Sequence, residues 1–167
     1  MLDINIAKDA ENKTITIQTE YEADQQRVWD AWTHSDQLDK WWGPQGWPAT
    51  TKSFDFSEGG HWHYKMTGPD GTEVWSWADY LTIDPINGFT AKDYFADADG
   101  TKNPELPGTN WDVAFSSEEG KTRVHVTLTF DKEADMQKLI EMGFEGGFSQ
   151  GLENLQNYLA GKTVYQS

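Results

Sequence analysis

Gly147-Phe148-Ser149-Gln150-Gly151 spells the G-x-S-x-G pattern of a serine nucleophile, a pattern that works only on a sharp strand-to-helix turn that lifts the hydroxyl toward a substrate. The surrounding residues deny it that turn, because Phe148, Leu152, Leu155 and Leu159 recur at helical spacing and place the serine inside a helix. The hydrolase order also needs a histidine downstream, and the last histidine is His125; the esterase reading is set aside. His61 and His63 are two apart in a strand-like stretch, so they share a face and could approach one metal with Asp55 or Glu58 as an oxygen ligand. That ligand set is incomplete, and the alternation makes Trp62, Tyr64 and Met66 the apolar inward face, which predicts both histidines and Lys65 in solvent. Asp93, Asp97 and Asp99 lack the remaining ligands of a calcium loop and read as a solvated charge run. If the chain moves protons, Tyr64 and Glu73 are the first suspects.

The residues left over are aromatic. Nine tryptophans, concentrated between Trp29 and Trp77, supply more flat, polar-tipped surface than a core of this size requires, which points to a binding chamber or a contact surface. Trp41-Trp42-Gly43-Pro44-Gln45-Gly46-Trp47 places three of these indoles in a short helix and its exit. They close one end of the core, or form a cavity entrance or a protein contact; neither role excludes the other.

Which elements position them follows from periodicity. Residues 14–21 alternate as a half-buried strand, with Ile4 and Ile6 pairing back on it across the polar stretch Lys8 to Asn12. Asp24 is the N-cap of a helix in which Val28, Ala31 and Trp32 share a face. Ser35 caps a second short helix carrying Leu38, Trp41 and Trp42, stopped by Gly43-Pro44. From about Ala49 a period of two predicts an antiparallel meander, with strands near 49–57, 61–67, 72–83, 89–96, 109–117 and 121–130. Residues 97–108 are polar, rich in Gly and Pro, and read as a mobile loop and candidate lid. Residues 132–160 read as one long amphipathic helix, or a kinked or late-starting one. Its stripe of Gly143, Gly147 and Gly151 marks either close approach to the sheet or a groove left open for a ligand.

Composition excludes several partners. The 167 residues suit one domain, and 28 acidic against 13 basic side chains give a net charge of -15, which repels nucleic acid and anionic membranes. The absence of cysteine removes disulfides, thiolate nucleophiles and thiolate metal sites. With no basic-then-apolar start and no stretch near the roughly 18 apolar residues of a membrane span, a soluble cytoplasmic location is the expectation.

Val28-Trp29-Asp30-Ala31-Trp32-Thr33, Leu38-Asp39-Lys40-Trp41-Trp42-Gly43-Pro44, the run Gly59 to Glu73, and Met142-Gly143-Phe144 through Gly147-Phe148 to Leu152 follow one another in an order that resembles bacterial homologues of the heat-shock protein 90 ATPase activator, within the START-like (SRPBCC) superfamily. The resemblance runs over about residues 13 to 160. It implies a helix-grip fold, in which a curved antiparallel sheet wraps a long C-terminal helix around a deep, largely apolar cavity. Ala23-Asp24 and Ser35-Asp36 stand where the family usually has Ala-Pro and Asp-Pro, and Trp75, Trp77 and Gly151 also depart from its usual residues. The last three fall on the implied cavity wall, and the family has no uniform activity, so no ligand carries over.

The expectation is therefore an α+β helix-grip domain over residues 1–167, with 1–12 as an N-terminal extension. Its ligand-binding residues are Trp41, Trp42, Trp62, Tyr64, Met66, Trp75, Trp77, Tyr94, Phe144 and Phe148, with no catalytic residue, metal or cofactor assigned. The partner is a small apolar, ring-containing molecule, and the chain is a monomer or homodimer. A co-chaperone-like interaction domain is one alternative, although the region that the eukaryotic co-chaperone adds before this domain has no match in these residues. An enzyme of cyclase or hydrolase type using a cavity tyrosine or carboxylate is another.

Overall fold

The computed structural model describes residues 2–106 and 108–165. Eight antiparallel strands form one curved sheet: β1 (Ile4–Asp9), β2 (Thr14–Tyr21), β3 (Ala49–Phe54), β4 (His61–Thr67), β5 (Glu73–Asp84), β6 (Gly88–Ala96), β7 (Thr109–Glu118) and β8 (Lys121–Thr129). Their order across the sheet is β1-β2-β8-β7-β6-β5-β4-β3. Helices α1 (Gln25–Thr33) and α2 (Ser35–Trp41) follow β2, while α3 (Glu133–Glu141) and α4 (Phe144–Leu159) end the chain. This is the helix-grip α+β architecture. No helix among the described residues is long and apolar enough to cross a membrane.

The local signals act as their chemistry dictates. Asp24 Oδ1 accepts from the Arg27 N–H at 2.7 Å and caps α1. α2 differs from expectation: His34 holds the N-cap position without a side-chain bond, and Ser35 is already helical. Ile4 lies opposite Thr19 and Ile6 opposite Ile17, so the first residues are an edge strand of the sheet. The C-terminal segment is two helices. Gly143 joins them with φ 88°, a left-handed conformation that breaks the helix and that other residues resist.

Strand register decides which side chains enter the core. Trp62 pairs with Ala78 and Tyr64 with Ser76; Ala78 pairs with Asp93 and Tyr80 with Ala91; Ala91 pairs with Trp111. These residues share the inner face and meet Leu152 and Leu155 of α4 in one apolar cluster. The buried residues of α4, Gly151, Leu152, Asn154 and Leu155, lie around and after its midpoint. Gly151 is there for close approach, to the end of α2 rather than the sheet: a Cβ would meet the Trp42 carbonyl oxygen at 2.9 Å. Asn154 ties the same region down, donating to the carbonyls of Trp41 and Gly43 at 3.3 and 2.8 Å and accepting from Gln45 Nε2 at 2.7 Å.

Candidate ligand chamber

Between the inner sheet face and the helices lies a cavity of about 40 Å³. Strands supply Trp62, Tyr64, Ala78, Tyr80, Phe89, Ala91, Asp93 and Trp111, and the helical side supplies Trp32, Leu38 and Trp42. A second cavity of about 40 Å³ lies alongside, bounded by Ser76, Phe95, Thr109, Leu139 and Phe144, and it shares Asp93 and Trp111 with the first. Each has room for a few waters, whereas pockets for drug-sized ligands span roughly 300–1,000 Å³. Aromatic rings occupy the remaining interior. Trp42 packs against Trp32, Trp41, Trp62 and Phe148 with centroids 5.3 to 6.0 Å apart.

Polar atoms inside this enclosure are few and specifically paired. Trp42 Nε1 donates to Tyr64 Oη at 3.0 Å, and Trp111 Nε1 donates to Asp93 Oδ2 at 2.9 Å. Burial pushes the Asp93 carboxyl up to about 7, against the opposing hydrogen bonds from Trp111 and Thr109. Burial, and then the Asp93 charge, raise the Tyr64 phenol well above its usual range. Trp32 Nε1 is buried with no hydrogen-bond partner among the described residues, a deficit that costs about 1–3 kcal/mol unless water or a ligand meets it.

The structure gathers some of the expected site residues and separates others. Trp42, Trp62 and Tyr64 line the first cavity, Phe144 lines the second, and Phe148 packs on Trp111 at 5.4 Å. Trp41 is fully buried and gives its Nε1 to the Ala31 carbonyl at 2.9 Å, so it belongs to the core beneath the chamber. Met66 is part-buried against the core without reaching either cavity. Trp75 and Trp77 are corrected: they pair with Lys65 and His63, which places them on the outer face. Tyr94 pairs with Trp77 and its ring lies beside Lys92 and Lys102, yet the residue also borders the second cavity. The irregularity between β5 and β6 falls after Tyr80 and leaves the alternation from Trp75 to Tyr80 intact.

That outer face also revises the histidines. His63 is buried rather than solvated, because the chain after β6 folds over it: His63 Nε2 lies 3.0 Å from the Asp97 carbonyl oxygen. His61 stacks on Trp77 at 4.4 Å and bonds Ser53 Oγ at 2.7 Å. Residues 97–102 thus lie over the outer face, and Pro107 is outside the described residues. Glu73 is exposed and ion-paired to Lys65 at 2.5 Å, remote from any proton-transfer position in the chamber. Asp93 is the opposite correction: read as solvated, it faces inward, as do the unanticipated Trp32, Tyr80, Phe89 and Trp111. One signal pointed to Asp93, the alternation of Phe89, Ala91 and Phe95 around it on β6, which puts its side chain on their face. Ser149 sits within α4, with no strand-to-helix elbow to activate it.

An aromatic interior gripped between one curved sheet and a terminal helix defines a class, and sequence comparison places the chain within it. Residues 22–160 match the family model described as activator of Hsp90 ATPase homolog 1-like protein, and the chain belongs to that family. A solution structure from Arthrobacter aurescens is similar at 38% identity, covering 93% of this chain and 91% of its own, with a TM-score of 0.89. Protein Ms6760 from Mycobacterium smegmatis is 30% identical over 95% of this chain and 97% of its own, with a TM-score of 0.87. A Staphylococcus epidermidis protein is also 30% identical, covering 93% of both chains, with a TM-score of 0.81. No curated protein matches the chain.

Proposed function

We propose that the chain binds a small, ring-containing apolar molecule in the chamber between the inner sheet face and α4. The observation that carries this reading is the Asp93 carboxyl and Tyr64 hydroxyl set inside a wall of indole, phenol and phenyl rings. Rings supply the burial energy, at roughly 25 cal/mol per Å² of apolar area, and the few polar atoms supply orientation. The unpartnered Trp32 N–H adds a donor for an oxygen of the guest.

At about 40 Å³ each, the two cavities must merge and widen to accept such a guest. The means lies in the first half of α4. Phe144 and Phe148 are only part-buried, nothing lies within 4 Å of a Cβ built on Gly146, and Gly143 supplies a joint before the helix. Outward movement of this half, with rotation of Trp111, joins the two spaces at the cost of few fully buried contacts.

Native mass spectrometry of freshly purified protein is expected to reveal a retained small molecule, and titration with ring compounds to quench tryptophan emission saturably. If nothing is retained and a broad panel of aromatic compounds leaves the emission unchanged, the reading falls.

One observation favours a second reading. A carboxyl poised near 7 beside a buried phenol is what proton transfer at neutral pH uses. Turnover of a trial substrate lost in both Asp93→Asn and Tyr64→Phe, with folding intact, supports the enzyme; turnover surviving both removes it.

A further inference from the structure

We infer that the guest of this chamber is an organic cation, an amine or methylated ammonium attached to an apolar ring, held by Asp93 inside the aromatic wall. This rests on the binding reading above and names the chemistry of its ligand.

The residues bounding both cavities include four tryptophans, Trp32, Trp42, Trp62 and Trp111, one carboxylate, and no lysine, arginine or histidine. Ring faces carry negative potential and attract ammonium groups, most strongly where water is excluded. A single carboxylate among them gives a cation both a charge partner and a desolvated cage. An anion would meet the same rings and the same carboxylate without a compensating positive group. The whole-molecule charge of -15 acts in the same direction, concentrating cations around the protein and repelling anions.

Asp93 is placed for this role. It borders both cavities, and its single indole partner, Trp111, borders both as well. An incoming ammonium replaces the Trp111 N–H on the carboxylate, which frees the indole to swing and opens one space into the other. A neutral donor leaves and a cation takes its place, so the buried carboxylate goes from uncompensated to neutralised. With no cationic side chain on either wall to hold a phosphodiester, a free amine fits the chamber and a phosphate-bearing headgroup does not.

Protonation of Asp93 opposes the cation, so affinity must follow the state of this group. The titratable residues that share these walls with it are Tyr64 on β4, Tyr80 on β5 and Tyr94 on β6, and burial raises the phenols of Tyr64 and Tyr80 well above the working range. β7 presents Trp111 and Thr109, α1 Trp32, α3 Leu139, and α4 Phe144, none of which titrates. Cation affinity is therefore expected to fall as pH drops from 8 to 6 while that of a neutral guest stays constant.

The test compares phenyltrimethylammonium with its uncharged carbon isostere, tert-butylbenzene, by calorimetry and tryptophan emission. Water-soluble phosphocholine is a third probe, and Asp93→Asn, which keeps the shape of the side chain, is the variant. The cation is expected to bind at least tenfold tighter than the isostere, phosphocholine at least tenfold weaker than phenyltrimethylammonium, and the preference for charge to collapse in Asp93→Asn. Equal or tighter binding of tert-butylbenzene overturns this inference and leaves the apolar binding reading standing. Failure of both ring probes removes both proposals. A charge preference that survives Asp93→Asn, or phosphocholine binding as tightly as phenyltrimethylammonium, overturns the assignment of an amine held by Asp93.

Discussion

Trp111 Nε1 and Asp93 Oδ2 lie 2.9 Å apart, and both residues border each of the two adjoining cavities of the chamber. A carboxyl kept inside such a wall costs folding energy whenever it is ionised, and the consequences can be measured.

Asp93→Asn is expected to stabilise the protein in a pH-dependent way. The folded carboxyl is raised from 3.8 to about 7, so the folded state holds its proton where the unfolded state has lost it. The contribution of this one group is thus fully present below about pH 4 and is lost as pH rises through about 7, by as much as about 4 kcal/mol in total. Denaturant unfolding should show a large gain from the substitution at pH 8 and little at pH 4. The absence of any gain at pH 8 would place the carboxyl in solvent.

The glycines of α4 should separate under alanine substitution. Gly151→Ala forces a Cβ against the Trp42 carbonyl oxygen at 2.9 Å, a backbone atom that cannot yield cheaply, and a loss of about 1–3 kcal/mol is expected. Gly146→Ala meets nothing within 4 Å and should gain about 0.5–1 kcal/mol from helix propensity. Thermal melts of the two variants side by side check the contrast.

Tyr64→Phe removes the acceptor of the Trp42 indole N–H in the enclosed wall. A destabilisation of about 1–3 kcal/mol is expected, the cost of stranding a buried donor. A melting temperature equal to that of the parent protein would show that another partner takes over that N–H.

Ligand affinity should respond to the inner face and ignore the outer one. Trp42→Phe shrinks the chamber wall and removes the bond to Tyr64, with an expected five- to tenfold weakening of a bound ring probe, about 1 kcal/mol. Trp77→Phe, on the outer face beside His61, should leave affinity within twofold. The reverse ranking by calorimetry would put the site on the wrong side of the sheet.

Much of this architecture was legible from period and punctuation. Thr14 to Tyr21 alternates plainly, Asp24 caps its helix, and the turns at Gly59, Gly71 and Gly120 delimit the meander. Two things were harder to read. Trp75 and Trp77 alternate as faithfully as Ser76 and Ala78, and in the large-outside, small-inside arrangement of β5 hydrophobicity names the wrong face. Ser76 and Ala78 are small because the rings of Tyr64 and Trp62 cross the space above their strand, a non-local fact that no window of sequence contains. Asp93 misled for a related reason: a carboxylate in an acidic chain reads as surface unless the strand's phase is trusted over its chemistry.

Asn154 pins the later turns of α4 to the exit of α2, while at the other end of the helix Glu145 reaches Lys8 on the edge strand at 2.6 Å. A body held firmly through buried bonds at one end and by a single surface ion pair at the other pivots about the firm end, and the displacement grows with distance from the fulcrum. Filling the interior would therefore strain the Lys8–Glu145 clasp first, and the sheet's free edge becomes the place where occupancy of a chamber several strands away is felt.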